Sequence, residues 1–274
     1  MYAYDFEYDG KLLSDFGFIV CDFNGSKGAD TADMGSEIVF QTTPIHNGKR
    51  FLVTGTTYDT CLSTKFHICK DPDLYENEEM EISNEDFRIL SRWLNRKEFL
   101  WFHSFDWYEP DKEEPWFRAS FTLSKINIGE KLYGIELSMS TDSPFGYGRE
   151  EIESFSFTSG NLSKILIDKN DEIGKTYPAL TITCNQGGNL ILTDNITDCS
   201  CRINNCSNNE VISFSGESMI ISTSLSAHEA TLHDDFNFDY FCFENTYINK
   251  TNIITASIPC TVEIRYRPII KDTL

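Results

Sequence analysis

Among the 274 residues, five histidines stand at positions 46, 67, 103, 228 and 233. Only the last two have acidic neighbours, with Glu229, Asp234 and Asp235 beside them. Imidazole and carboxylate are the ligands of zinc and other transition metals, so this cluster could hold a cation. The same residues also read as a solvated loop with ordinary surface charge, and this is the expectation adopted. Cys184, Cys199, Cys201 and Cys206 could bind zinc as thiolates, but paired two-residue spacing is missing and no histidine lies near. Cys199, Cys201 and Ile203 alternate instead, as on one face of a strand. Asp15-Phe16-Gly17 matches the metal-binding triplet of protein kinases without the Gly-rich loop, strand lysine or His-Arg-Asp that must precede it. It reads as a strand ending on glycine. No serine or cysteine sits in a nucleophile elbow. Carboxylates are plentiful, so a glycosidase pair stays open, but none is singled out. The sequence therefore predicts no catalytic residue, no metal ligand and no cofactor.

The residues that suggest contact chemistry are aromatic. In "SFDWYEPDKEEPWF", Trp107, Tyr108 and Trp116 alternate with acids and two prolines between strand-like runs. Large rings on a loop held by a rigid sheet are candidates for an interface. The other reading is that the rings fold back onto the local sheet.

The elements that must position these residues are mostly strands. "YAYDFEYDG" alternates and ends on Asp9-Gly10, a turn pair. "EIVFQTT", "KRFLVTGTTY", "WFRASFTLSKINI" and "KLYGIELSMST" follow the same period. Phe117, Ala119, Phe121 and Leu123 should share a face, with a turn at residues 128–131. Residues 24–36, rich in Gly, Ala and Asp, read as a loop. One segment has helical period: "SNEDFRILSRWLNRK", about residues 83–97, puts Phe87, Leu90, Trp93 and Leu94 on one face. Ser83 can cap it, and Glu85 and Asp86 suit its N-terminal dipole. "DSPFGYGRE", with a proline and two glycines, marks a domain boundary. That gives residues 1–145 as a β-rich domain with one helix and 146–274 as a second domain, whose final strand could reach back to the first. The second half shows no helical period and about ten short runs separated by Asn, Asp, Gly and Ser, the pattern of a β-sandwich. "CTVEIRYRP" should close it, with Val262, Ile264 and Tyr266 on the buried face and Pro268 ending the ladder.

Composition bounds the function. Net charge is −20, which opposes specific binding to nucleic acid or anionic membranes. No run approaches the roughly 20 apolar residues that span a bilayer. The start lacks the basic and apolar regions of a signal peptide. Nine cysteines, an odd number spread along alternating strands, fit reduced thiols used as small apolar residues.

The order of several pieces resembles the distal tail protein family of long-tailed bacteriophages. They are "GKLLSDFGFIV" near the start, "DSPFGYG" at the midpoint, "YPALTITC", "EVISFSGESMIISTSL", and the closing "DFNFDYFCFENTYINKTNIITASIPCTVEIRYRPI". The 24–36 loop and "CKDPDLYENEEMEIS", residues 69–83, fit the pattern poorly. The resemblance implies a mainly β protein: an N-terminal ring-forming domain, then a galectin-like or jelly-roll sandwich. It implies a structural hub and no enzyme, as a homo-hexamer joining the tail tube protein to the central tip protein. The sandwich is expected to offer a docking platform for receptor-binding proteins, and DNA only passes through the lumen. The place would be the virion tail tip, assembled in the host cytoplasm. Trp107, Tyr108 and Trp116 become candidate interface residues. Two other readings stand beside it: a carbohydrate-binding, lectin-like module, disfavoured by the absence of Trp after residue 116, and a carboxylate-based glycoside hydrolase.

Overall fold

The structure, a computed structural model, describes residues 3–23, 36–45, 48–58, 62–106, 111, 115–197, 199–216, 218–246 and 248–271. The chain divides into two compact units, one running to Tyr147 with a return from Lys271, the other Gly148–Ile270.

The first unit is built on a seven-stranded antiparallel sheet. Its strands are β1 (Ala3–Tyr8), β2 (Lys11–Leu12), β3 (Phe18–Cys21), β6 (Ser63–Lys70), β7 (Leu100–Asp106), β8 (Phe117–Ile128) and β9 (Lys131–Thr141), with β4 (Ser36–Ile45) and β5 (Gly48–Tyr58) outside it. The spatial order is β2-β1-β7-β8-β9-β6-β3. Asp9 and Gly10 both take positive φ, the geometry of the tight β1–β2 turn. Gly129 does the same between β8 and β9. The alternation along β8 holds: Phe117, Ala119 and Phe121 are buried. β4 and β5 pair from Ser36↔Tyr58 to Ile45↔Gly48 and, among the described residues, with no other strand. Of the segment expected as a loop at 24–36, residues 24–35 lie outside the described residues, and Ser36 opens β4.

The α-helix among the described residues of this unit, α1, spans Asn84–Leu94. Ser83 Oγ accepts from the Asp86 amide at 3.1 Å, and the Asp86 carboxylate accepts from the Ser83 amide at 3.0 Å. This reciprocal cap fixes the start where the sequence placed it. The end falls three residues before the expected Lys97. Asn95 caps the helix, and Arg96 leaves it to pair with Asp9 at 2.9 Å. Leu90, Trp93 and Leu94 are buried against the sheet. Trp93 donates its indole N–H to the Tyr8 carbonyl at 3.0 Å and stacks on Phe6 and Phe16. Phe6, Phe66, Phe102 and Phe121 pack ring against ring beneath it.

The Asp15-Phe16-Gly17 triplet does not end a strand. Residues Ser14–Phe16 form a 3-10 turn closed by Gly17 at φ 75°. A Cβ on Gly17 would meet the Tyr75 hydroxyl at 2.5 Å, so both the backbone angle and the space call for glycine.

The second unit is a sandwich. Its strands are β11 (Glu151–Phe157), β12 (Ser163–Ile167), β13 (Gly174–Thr176), β14 (Ala179–Cys184), β15 (Gly188–Asp194), β16 (Ser200–Cys206), β17 (Val211–Ser215), β18 (Ile220–Thr223), β19 (Phe243–Asn245), β20 (Thr251–Ala256) and β21 (Cys260–Tyr266), after β10 (Gly146–Tyr147) and before β22 (Ile269–Ile270). One sheet runs β11-β21-β14-β17-β18, the other β12-β20-β15-β16, and β13 pairs with β19. Their inward faces meet in one core, among them Ile182, Leu190, Leu192, Ile203, Ile254 and Ile264. Val262, Ile264 and Tyr266 are buried on β21, and that strand stops before Pro268. The sequence showed no helix here, yet Ser226–Glu229 (α2) and Leu232–Asp235 (α3) each make one turn. Four residues are too few to display a 3.6-residue period. The eight described cysteines are free thiols, six of them buried.

Candidate functional site

β7 carries an aromatic array on the face opposite the core. Phe102 points inward, so Trp101, His103 and Phe105 line the other side by alternation. Trp116, just before β8, stacks on His103 with ring centroids 4.8 Å apart and planes 19° from parallel. Its backbone exchanges two hydrogen bonds with Tyr147, at 2.7 and 2.6 Å. Tyr147 in turn meets Trp101 edge-on at 5.4 Å. His103 is buried among these rings, with Nδ1 3.2 Å from the Pro115 carbonyl oxygen, while Trp101, Trp116 and Tyr147 remain half-buried. Such a ridge offers large, rigid apolar area at low entropic cost, the chemistry of contact.

Of the three expected interface residues, the structure places Trp116 in this array; Trp107 and Tyr108 lie outside the described residues. Trp101, His103 and Tyr147 were missed. The alternation in "LWFHSFD" could have pointed to the first two. Tyr147 lies 31 positions from Trp116, and no local pattern joins them.

The acid–histidine cluster differs from the surface loop expected of it. His228 is buried on α2, with Nδ1 2.5 Å from Glu210 Oε1 and Nε2 3.4 Å from Asp235 Oδ2. Glu210 is fully enclosed and also accepts from Thr223 Oγ1 at 2.5 Å and the Ser207 amide at 2.7 Å. Burial opposes its ionisation, but the hydrogen bonds from Thr223, Ser207 and His228 outweigh that and hold its pKa below the usual range. Thr223 donates its hydroxyl to the carboxylate, and its oxygen accepts from the Leu225 amide at 3.2 Å, so the hydroxyl is held on both sides within the cluster. The arrangement is a strut tying the turn before β17 to α2. His233, by contrast, is exposed beside Asp234. Glu210 is 18 positions from His228, and local reasoning could not supply it.

Cys184, Cys201 and Cys206 face the sandwich core from β14 and β16, and Cys199 is buried just before β16. Among the described residues no three His, Cys, Asp or Glu side chains form a metal-holding group. Among the described residues two buried carboxylates, Asp168 and Asp194, each keep one oxygen without a hydrogen-bond partner. Asp168 Oδ1 accepts from the Asn170 amide and side chain at 2.9 and 2.6 Å, and Oδ2 has no hydrogen-bond partner. Burial pushes its pKa up despite those bonds.

Two family models cover almost all of this architecture. One described as "Phage tail protein N-terminal domain" matches residues 1–143, and one described as "Phage tail C-terminal domain" matches residues 145–266. Among solved structures, the crystal structure of Dit (gp 19.1) from phage SPP1 shares the fold. That protein is described as a paradigm of the hub adsorption apparatus in phages infecting Gram-positive bacteria. The TM-score is 0.61 at 14% identity, covering 96% of this chain and 98% of that one. No curated protein matches.

Proposed function

The chain belongs to this family of phage tail proteins, and from that premise we propose that it is the hub of a tail tip. Six copies close into a ring that joins the tail tube protein to the central tip protein. The sandwich units present a platform for receptor-binding proteins. The observation that carries this reading is the fold shared with the SPP1 hub protein over nearly the full length of both chains.

Physical features support it. A ring needs head-to-tail contacts that close, made by edges and loops of rigid sheets. The β4–β5 hairpin has strands of 10 and 11 residues and, among the described residues, no third strand beside it. An isolated two-stranded hairpin is marginal in water, and a neighbouring subunit would supply the missing support. The half-buried rings of Trp101, Trp116 and Tyr147 are suited to contact a neighbour or a tail partner, as Trp107 and Tyr108 are by residue type. Six copies at −20 each bring −120 into one ring, so assembly is opposed by self-repulsion and relieved by salt. Acids lining the lumen would let DNA pass without adhering. As a tail protein the chain is a component of the virion, and its assembly is assigned to the host cytoplasm.

Mass photometry of the full chain with its tube partner, in about 0.5 M salt, tests the reading. A sixfold mass is expected. Monomers alone under these conditions sink it.

A further inference from the structure

The outer face of the four-stranded sheet in the second unit differs from what a −20 chain should show to water. Alternation puts three residues of each strand outward, twelve across β12, β20, β15 and β16, and Arg202 is the single charged one. Ile165 and Ile167 on the edge strand β12 are each 62% exposed, and Ile253 on β20 is 38% exposed. The register sets Ile165 directly opposite Ile253, with Ile167 next along the same face. Two strands further in, Ile191 extends the apolar surface toward Arg202, its cross-strand neighbour. Thr193 and Thr255 lie between, and their hydroxyls bond each other at 2.5 Å, so these uncharged side chains are satisfied within the sheet. The opposite sheet of the sandwich carries a Glu263–Arg265 ion pair on its outer face. Charge depletion with clustered apolar side chains marks the centre of an interface, not a solvated face.

We propose that this face pairs with the same face of a second copy of the chain. A face with almost no charge gives no electrostatic selection for a basic or acidic partner. In a chain of such net charge, copies must also meet where acids are absent, and this face meets that condition. Two sheets packing face to face interdigitate β-branched side chains about 10 Å apart. A two-fold axis needs the same patch on both sides, and an isoleucine-studded sheet with a flat threonine row can serve as its own complement. The area sets the strength. Four strands at about 4.8 Å spacing and about six residues of length make a patch roughly 20 Å square, so a pair buries on the order of 1,000 Å² in total. That is the low end for a specific interface, and the pairing is weak and reversible. It is separate from the ring contacts assigned to the first unit and does not rest on them.

Sedimentation equilibrium of the full chain from about 5 to about 500 µM reads this directly. The expected result is a mass that rises with concentration toward twice that of the species present at low concentration, whether that species is a monomer or a ring. Ile165→Asp should lower this association at least about tenfold by placing a charge among the apolar side chains the pairing buries. Ile152→Asp, on the outer face of the other sheet, should leave it unchanged. Neither variant should alter the low-concentration species. A wild-type mass that stays constant to the highest concentration overturns the proposal, including the case in which another protein occupies the face. So does an association that survives Ile165→Asp, or one lost equally in Ile152→Asp. Failure of the ring reading looks different, because it appears as a monomer at low concentration in every variant.

Discussion

Trp116 lies flat on His103, centroid to centroid at 4.8 Å, while its backbone is bonded to Tyr147. The ring is thus held in place by its own unit before any partner arrives, which limits the entropy lost on contact. Trp116→Ala should weaken assembly by about thirtyfold, the effect of about 2 kcal/mol at an interface anchor. Monomer melting and assembly affinity, measured on the same variant, decide between interface and core. A monomer that loses several kcal/mol, or an assembly constant that stays put, removes Trp116 from the interface.

Glu210→Ala should cost about 3 kcal/mol, because it leaves buried His228 without its closest partner. Urea unfolding of the full chain measures it. A loss below about 0.5 kcal/mol would show that the strut contributes little.

Acid should act on the same residue. The folded pKa of Glu210 is depressed, so its contribution is present above the unfolded value and is lost as pH falls through the carboxylate range toward the folded value. Asp168 has the opposite sign. Its folded pKa is raised by burial, so ionisation costs stability as pH rises past the unfolded value. Asp168→Asn should therefore be neutral to stabilising at pH 7, with the difference vanishing near pH 3. Denaturant midpoints of both proteins at the two pH values check this. Asp168→Asn destabilising more at pH 7 than at pH 3 contradicts the assignment.

Phe121 is buried among Phe6, Tyr8, Phe66 and Phe102. Phe121→Ala should lose about 4 kcal/mol through transfer and cavity terms. Calorimetry should show it in the melting of the first unit. A change below about 1 kcal/mol would mean the aromatic cluster collapses around the gap.

Gly17→Ala meets both a left-handed backbone and the Tyr75 hydroxyl. A loss of about 2 kcal/mol is expected, as the backbone cost alone is about 1–2 kcal/mol. Equilibrium unfolding measures it, and a stability equal to the parent would show that the turn relaxes freely.

What the sequence determined by itself was local. Ser83 and Asp86 lie three residues apart and cap α1 without help from elsewhere, so the start of that helix was legible. The period of two in "CTVEIRYRP" named the buried side of β21, because a strand facing one core must alternate. The mainly β class followed from the same period repeated along the chain. The end of α1 was not legible, since Arg96 leaves the helix for Asp9, 87 positions away. His228 read as surface charge because Glu210, which shares its buried site, comes from another element. Trp116 could be nominated, but its stacking on His103 and its bond to Tyr147 depend on which strands become neighbours. The tertiary structure alone decided that neighbourhood. The order β2-β1-β7-β8-β9-β6-β3 sets residues from the start and the middle of the chain side by side. Strand pairing is selected by the burial of whole faces at once, a free energy that belongs to the assembled sheet and to no single stretch of residues.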